Sequence, residues 1–420
     1  MFRKSNTYSK KSTTFFILFI LSVGLHKSNY LILQLTGISI QSTIGISLLL
    51  FPLIFLALSY YYSPERNINT RKSEDSFLMK TLFFYINLLL LYGLIIENNI
   101  SIIFLEYWTG MIILLSYKIA KSENIWLLFE GKLIVVFFIF SFLVFLGNGY
   151  TQIHLKEFGY DAFETGITTA LVSYNIAPML DFWPFLFLMG FFNKKIKKYK
   201  ILTFIPLAIY LSFQLFFLKR APSVRAISFL LLAIFIKMKI SENYKMFTKL
   251  MLSLISIVVV ALLFTPEALI NRFKTEDTSR QDEASAMLAQ LTPLEMLFGR
   301  GLGGIYYVEE GGIVQSINEE GRAVSANMHI GAIYPILKGG ALLFFLIFYH
   351  IISTVIRNIK RVKKLSKEGL TSLIFLIVYS LFRLIEGPFS TGAIFDALLF
   401  GMSLGCLNRN KNYGFKNPPN

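Results

Sequence analysis

The chain has a single cysteine, Cys406, among 420 residues. A lone thiol closes no internal disulfide and completes no paired-cysteine metal pattern. Histidine is nearly as scarce. His26, His154, His329 and His350 are the four present, and none sits at His-x-x-x-His or His-carboxylate ligand spacing. Charge is sparse as well, at 16% of residues against roughly a quarter in ordinary soluble domains. Acids are the scarcer sign, 25 against 41 Lys and Arg. The resulting net charge of +16 is not a nucleic-acid footprint, because the basic residues lie in small clusters between apolar runs rather than along one face. No nucleic-acid partner is expected.

What the chain has instead is hydrophobic surface. Apolar residues make up 55% of it, with 42 Phe, and the mean hydropathy is +0.59. Apolar runs of about 18 or more residues, the length a helix needs to cross hydrocarbon, recur from end to end. In order they predict about twelve spans, near 13–33, 43–62, 77–96, 100–119, 127–147, 168–192, 201–218, 224–240, 248–265, 329–354, 370–387 and 390–407. The expected fold class is an all-α polytopic membrane protein with one large, partly helical external loop. MFRKSNTYSKKS followed by TTFFILFILSVGL has the basic region and apolar core of a secretory signal. No small-x-small cleavage site follows, so it reads as an uncleaved first helix.

Basic residues fall in alternate loops. Arg3 to Lys11, Arg66 to Lys80, Lys118 to Lys132, Lys194 to Lys200, Lys237 to Lys249, Arg357 to Lys367 and Arg409 to Lys416 bound clusters that all lie on one side if the spans alternate. The positive-inside rule makes that side cytoplasmic and places both termini there. The exceptions include Arg220, Arg225, Arg280, Arg300, Arg322, Lys338 and Arg383, on or near the external face. The expected organisation is spans one to nine over 1–265, an external subdomain over 266–328, three further spans over 329–407 and a tail over 408–420.

The external subdomain carries helix signals. TSRQDEASAMLAQL opens with capping residues and early acids, and its Ala284, Met287, Leu288 and Leu291 recur at helical spacing. In TPLEMLF, Thr292 is the expected N-cap, Pro293 the first helical residue and Glu295 the partner that completes a capping box. Two short helices over the external face are expected, followed by glycine-rich backbone. LFGRGLGG satisfies G-x-G-x-x-G through Gly299, Gly301 and Gly304, but no strand precedes it and no dinucleotide half-domain surrounds it, so a nucleotide site is rejected. Turns that permit close backbone approach to a helix or ligand are the remaining reading.

Candidate chemistry rests on cations at the external face. LKRAPSVRA is a short hairpin with Arg220 and Arg225. Either they snorkel to lipid phosphates, or a guanidinium clamps a substrate phosphate with its two-pronged fork. Arg280 sits beside a helix start, where N–H groups and a guanidinium could both face an anion. Arg300 is a further binding candidate among mostly solvated loop charges. His329 opens the tenth run; an interface histidine bonded to a carbonyl is one reading, and a group that binds or protonates substrate is the other. Arg383 and Glu386 are spaced to pair on one helix face, and Arg383 is retained as a binding candidate.

These features together resemble the O-antigen polymerase and O-antigen ligase superfamily of bacterial surface polysaccharide assembly. APSVRAISFLL resembles the family's serine-and-arginine segment, TSRQDEASAML its arginine-led loop helix, PLEMLFGRGLGG its glycine-rich stretch, and NMHIGAIYPILKGGALLFFLIF the segment in which histidine opens a helix. The family segment commonly reads His-Asn, whereas here Asn327 precedes His329; that departure favours a polymerase. The resemblance implies a metal-independent glycosyltransferase without a cofactor. Its donor and acceptor would be undecaprenyl-diphosphate-linked glycans, met at the periplasmic face of the bacterial inner membrane among membrane lipids, with a flippase and a chain-length regulator as candidate partners. His329 and Arg280 are the expected catalytic residues; Arg220, Arg225, Arg300, Asn327 and Arg383 are the expected diphosphate or glycan contacts. An O-antigen ligase and a lipid-linked oligosaccharide flippase are the alternatives.

Overall fold

A computed structural model describes residues 10–27, 47–62, 74–122, 188, 191–192, 220–241, 279–308, 316–317, 322–325, 333–386 and 394–409. These residues are mostly helical. The helices are α1 (Lys10–Lys27), α2 (Ser47–Tyr61), α3 (Glu74–Ile95), α4 (Ile100–Ser122), α5 (Arg220–Ser241), α6 (Ser279–Ala289), α7 (Pro293–Phe298), α8 (Tyr334–Ile359), α9 (Lys367–Glu386) and α10 (Ile394–Arg409). Helices thus coincide with the expected runs near 13–33, 43–62, 77–96, 100–119, 224–240, 329–354, 370–387 and 390–407. The runs near 127–147, 168–192, 201–218 and 248–265 lie outside the described residues, apart from Leu188, Phe191 and Phe192. Among the described residues, two helical stretches, Ile100–Lys121 and Tyr334–Ile359, are long and apolar enough to cross a membrane.

The seam between α4 and α10 is the centre of the core. Gly401 and Gly405 are spaced as G-x-x-x-G, and a side chain at either would overlap α4: at Gly401 the carbonyl of Ile113 and the Ser116 hydroxyl, at Gly405 the carbonyl of Tyr117. Small residues at this spacing let two helix backbones approach closely. Because the contact numbers rise together on both helices, α4 and α10 run parallel. Around this seam Phe229 of α5 stacks on Phe375 of α9, which stacks on Tyr379, which meets Phe400 of α10, with centroids 5.8, 5.0 and 5.8 Å apart. At the other side, Ser12 of α1 donates to the Ser59 carbonyl of α2 (2.8 Å) and Ser59 donates back to the Ser12 carbonyl (3.0 Å), so two buried hydroxyls tie that pair.

α3 and α4 form a hairpin whose turn spans 96–99. Asn99 starts α4 by accepting from the N–H groups of Ser101 (3.0 Å) and Ile102 (3.3 Å), an Asn cap that satisfies otherwise orphaned donors.

The described part of the expected subdomain has both short helices. α6 buries Ala284 and Met287, as the spacing requires, and Leu291 is buried just past its end. At α7 the capping box is complete: the Thr292 hydroxyl accepts from the Glu295 N–H (3.3 Å) and the Thr292 N–H donates to the Glu295 carboxylate (2.8 Å). Two differences from expectation appear. The all-α expectation omits a small antiparallel sheet in the order β1-β3-β2, made of β1 (Tyr306–Tyr307), β2 (Ser316–Ile317) and β3 (Ala323–Ser325). Its strands are too short for an alternation signal to register. The Gln290 side chain extends its edge, donating to the Tyr307 carbonyl and accepting from the Tyr307 N–H, both at 2.9 Å. The second difference is the position of α7, which lies alongside α8 rather than across its end: a side chain at Gly340 would overlap Leu297 and Phe298.

Candidate functional site

The site begins with a break in α8. Gly339 and Gly340 depart from helical geometry, and Gly340 has φ 64°, a left-handed value that favours glycine. The break opens a notch one turn below the start of α8, and the glycine-rich loop 299–304 fills it. Gly299, Gly301 and Gly303 also have positive φ, between 73° and 78°, and their missing side chains let the loop backbone touch Lys338 and Gly339 of α8, Gly93 of α3 and Ile103 of α4. The close-approach reading of LFGRGLGG therefore holds, with the helices as the partner.

The loop's polar groups are spent on these helices. The Arg300 N–H donates to the Leu337 carbonyl (2.8 Å) and the Leu302 N–H to the Leu89 carbonyl (3.2 Å). Asn98, in the α3–α4 turn, donates to the carbonyls of Arg300 (2.9 Å) and Leu302 (2.8 Å). Tyr85 of α3 donates to the Gly339 carbonyl freed by the break (2.8 Å).

At the bottom of the notch lies an ion pair. Lys338 Nζ is 2.7 Å from Glu106 Oε1, with the two side chains 2% and 3% exposed. Lys338 also donates to the Gly304 carbonyl (2.6 Å). Glu106 further accepts from the Tyr334 hydroxyl (2.8 Å) and from the Gly303 N–H (2.7 Å). Burying two charges costs several kcal/mol each unless the remaining lone pairs and protons find partners; Glu106 has three donors, and Lys338 has two oxygens and the Tyr334 ring, 5.1 Å from Nζ to its centroid. α4, α8 and the loop thus converge on one carboxylate and one ammonium. Below the pair is a cavity of about 60 Å³, room for a few waters. Its walls are mostly apolar, with Leu302 at the top and His350 far along α8, where the ring meets Tyr117 edge-on at 6.2 Å.

Above the notch a second small core joins α6, β1 and the start of α8 through Met287, Leu291, Tyr306 and Leu337. The Tyr306 hydroxyl donates to the buried Glu283 carboxylate (2.5 Å). Arg300 ties the same parts together, donating to the Glu295 carboxylate (3.0 Å) and to the carbonyls of Ile305 (2.7 Å) and Gln290 (2.6 Å). Burial pushes the Glu295 carboxyl upward, but its hydrogen bonds to the Thr292 backbone and to Arg300, with the Arg300 charge, outweigh this and hold it below the ordinary carboxylate value.

Of the residues expected from sequence, Arg300 is within this assembly, with Nε, Nη1 and Nη2 each donating to a protein oxygen. Arg225 is buried on α5, 3% exposed, which is not the exposure of a side chain reaching out to lipid phosphates, and it does not line the cavity. Arg220, Arg280 and Arg383 lie on α5, α6 and α9, their side chains outside the described set; Asn327 and His329 lie outside the described residues. Among the described residues no group of three or more His, Cys, Asp or Glu is placed to hold a metal ion. The residues that sequence reasoning passed over are Glu106 and Tyr334, while Lys338 was noted only as a misplaced cation. A signal existed: Glu106 is the one acid inside the apolar run 100–119, and ionisable groups in such runs are rare and functional by default. No family model, curated protein or solved structure matches the chain.

Proposed function

We propose that the chain is a polytopic membrane enzyme that polymerises undecaprenyl-diphosphate-linked oligosaccharide repeat units at the periplasmic face of the bacterial inner membrane. A hydroxyl of one lipid-linked unit attacks the anomeric carbon of the lipid-linked chain; the glycosidic bond forms, the bond to the lipid diphosphate breaks, and the acceptor proton passes to a protein base or water. The departing diphosphate carries the charge that protein cations must neutralise. Arg225 and Arg280 are the proposed clamps, and His329 the group that binds the diphosphate or moves the proton.

The observation that carries this reading is the convergence of stretches that resemble the polymerase and ligase superfamily. SRQDEASAMLA on α6 and PLEMLFGRGLGG on α7 and its loop, neighbours in sequence, share one assembly at one end of the helices with YPILKGG on α8, which comes later in the chain. Parallel packing of α4 and α10 is what alternate crossing requires of the fourth and twelfth spans. The glycine loop is an unsuitable nucleotide cradle, because the Gly303 N–H and the loop carbonyls are committed to the protein, which agrees with a lipid-linked rather than a nucleotide-linked donor.

The buried Glu106–Lys338 pair beside a cavity favours one second reading, a lipid-linked oligosaccharide flippase, since transporters place paired charges among their helices. The surface-glycan pattern of a deletion strain separates the two. Single repeat units on the acceptor support the polymerase; complete loss of the repeat-unit glycan supports the flippase or a ligase; unchanged ladders overturn all three.

A further inference from the structure

We infer that residues 293–304 form a re-entrant element that dips beside α3 and α8 into the outer half of the bilayer, with the apolar side chains of α7 against lipid acyl chains. This rests on the membrane reading proposed above and goes beyond it, because the sequence places these residues over the external face instead.

Three helices give the same depth for the loop. It meets Glu106, six residues into α4; Lys338 to Gly340, four to six residues into α8; and Leu89 to Gly93 near the end of α3. At about 1.5 Å per residue these contacts lie up to roughly 9 Å below the helix ends, which is within a hydrocarbon half-thickness of about 15 Å when those ends are set at the membrane surface.

Most of the loop's backbone meets the rule that applies at such depth. Irregular chain in hydrocarbon is tolerated only where protein satisfies its polar groups. In this loop the N–H groups of Gly299, Arg300, Leu302, Gly303 and Gly304 donate to Glu295, Leu337, Leu89, Glu106 and Gly301, and the carbonyls of Arg300, Leu302 and Gly304 accept from Asn98 and Lys338.

The side chains of α7 point the same way. Leu294, Met296, Leu297 and Phe298 are 71, 40, 44 and 45% exposed, an outward face that water would penalise and acyl chains would not. The helix's one charge, Glu295, is held by Arg300. On α8 just beyond the break, Leu342 and Phe345 are exposed too, apolar surface of the kind that acyl chains would cover. Glu106 and Lys338 are then the anchor that keeps the element seated.

The test uses the full chain in nanodiscs with Cys406→Ser, carrying Leu294→Cys or Leu297→Cys labelled with a bimane fluorophore, and Phe345→Cys on α8 as reference. Phospholipids brominated on their acyl chains should quench Leu294→Cys and Leu297→Cys to the same extent as the reference, while aqueous iodide quenches none of them. Loss of fluorescence with bromolipid only at Phe345→Cys, with iodide quenching at both α7 sites, would overturn the re-entrant element and leave the membrane reading standing. Iodide quenching at all three sites without any bromolipid effect would overturn both.

Discussion

The seam between α4 and α10 and the seam between the glycine loop and α8 both depend on glycine, and they use it oppositely. Gly401 and Gly405 lie in regular helix and are small so that two helices can touch over apolar surface; no charge is needed. Gly299, Gly301, Gly303 and Gly340 lie where helix is absent or broken, and the backbone they free is caught by Asn98, Tyr85, Glu106 and Lys338. The first seam follows from shape alone. The second has register, because each hydrogen bond is made at one position only, and a buried ion pair is best attested as a device for register rather than for raw stability.

The largest effect should come from splitting the ion pair. Lys338→Met leaves Glu106 buried without its cation, a loss of about 3–5 kcal/mol. Adding Glu106→Gln should return much of it, since an amide keeps hydrogen-bonding capacity without charge. Unfolding of the single and double variants in detergent micelles measures the coupling; equal losses in the single Lys338→Met and the double variant would mean that the pair contributes no register.

Smaller, and diagnostic of the contrast between the seams, are two alanines. Gly401→Ala and Gly340→Ala each introduce overlap worth about 1–3 kcal/mol, the second with an added positive-φ penalty. Gly401→Ala should lower global stability and leave the loop's amide hydrogen exchange unchanged. Gly340→Ala should accelerate exchange in 293–304 first. The same response from both variants would erase the distinction.

Thr292→Ala removes one side of the capping box and should cost about 1 kcal/mol, read as faster exchange confined to α7. The smallest effect is that of pH. Glu295 is held below its ordinary value in the folded state, so its contribution is complete above its unfolded value and fades as pH falls through the lower folded value. Exchange in α7, compared with Glu295→Gln at each pH, should converge with the variant only at the acid end.

Much of this was legible in the sequence. The turn between the third and fourth runs, the helix over 279–289 and the capping box at Thr292 follow from local signals, because capping chemistry and helical spacing act within a few residues. The break at Gly339–Gly340 was visible as a glycine pair but not as a receptor for LFGRGLGG, since that fit joins residues far apart in the chain. Glu106 was passed over for the same reason: an acid in an apolar run announces a partner, and only the fold supplies Lys338 and Tyr334. The bonds from Arg300 to Gln290, Glu295 and Ile305 were not legible, because no spacing rule links those oxygens to its guanidinium.

The most direct test of the account is the surface-glycan ladder of cells that carry His329→Ala at wild-type membrane levels. His329 lies in sequence between β3 and α8, and α8 carries the Lys338 that pairs with Glu106. Losing a diphosphate or proton-transfer contact there should cost on the order of 10²-fold or more in rate, leaving single repeat units in place of the ladder. A ladder of wild-type length from that variant would contradict the claim that this end of the helices is the polymerase site.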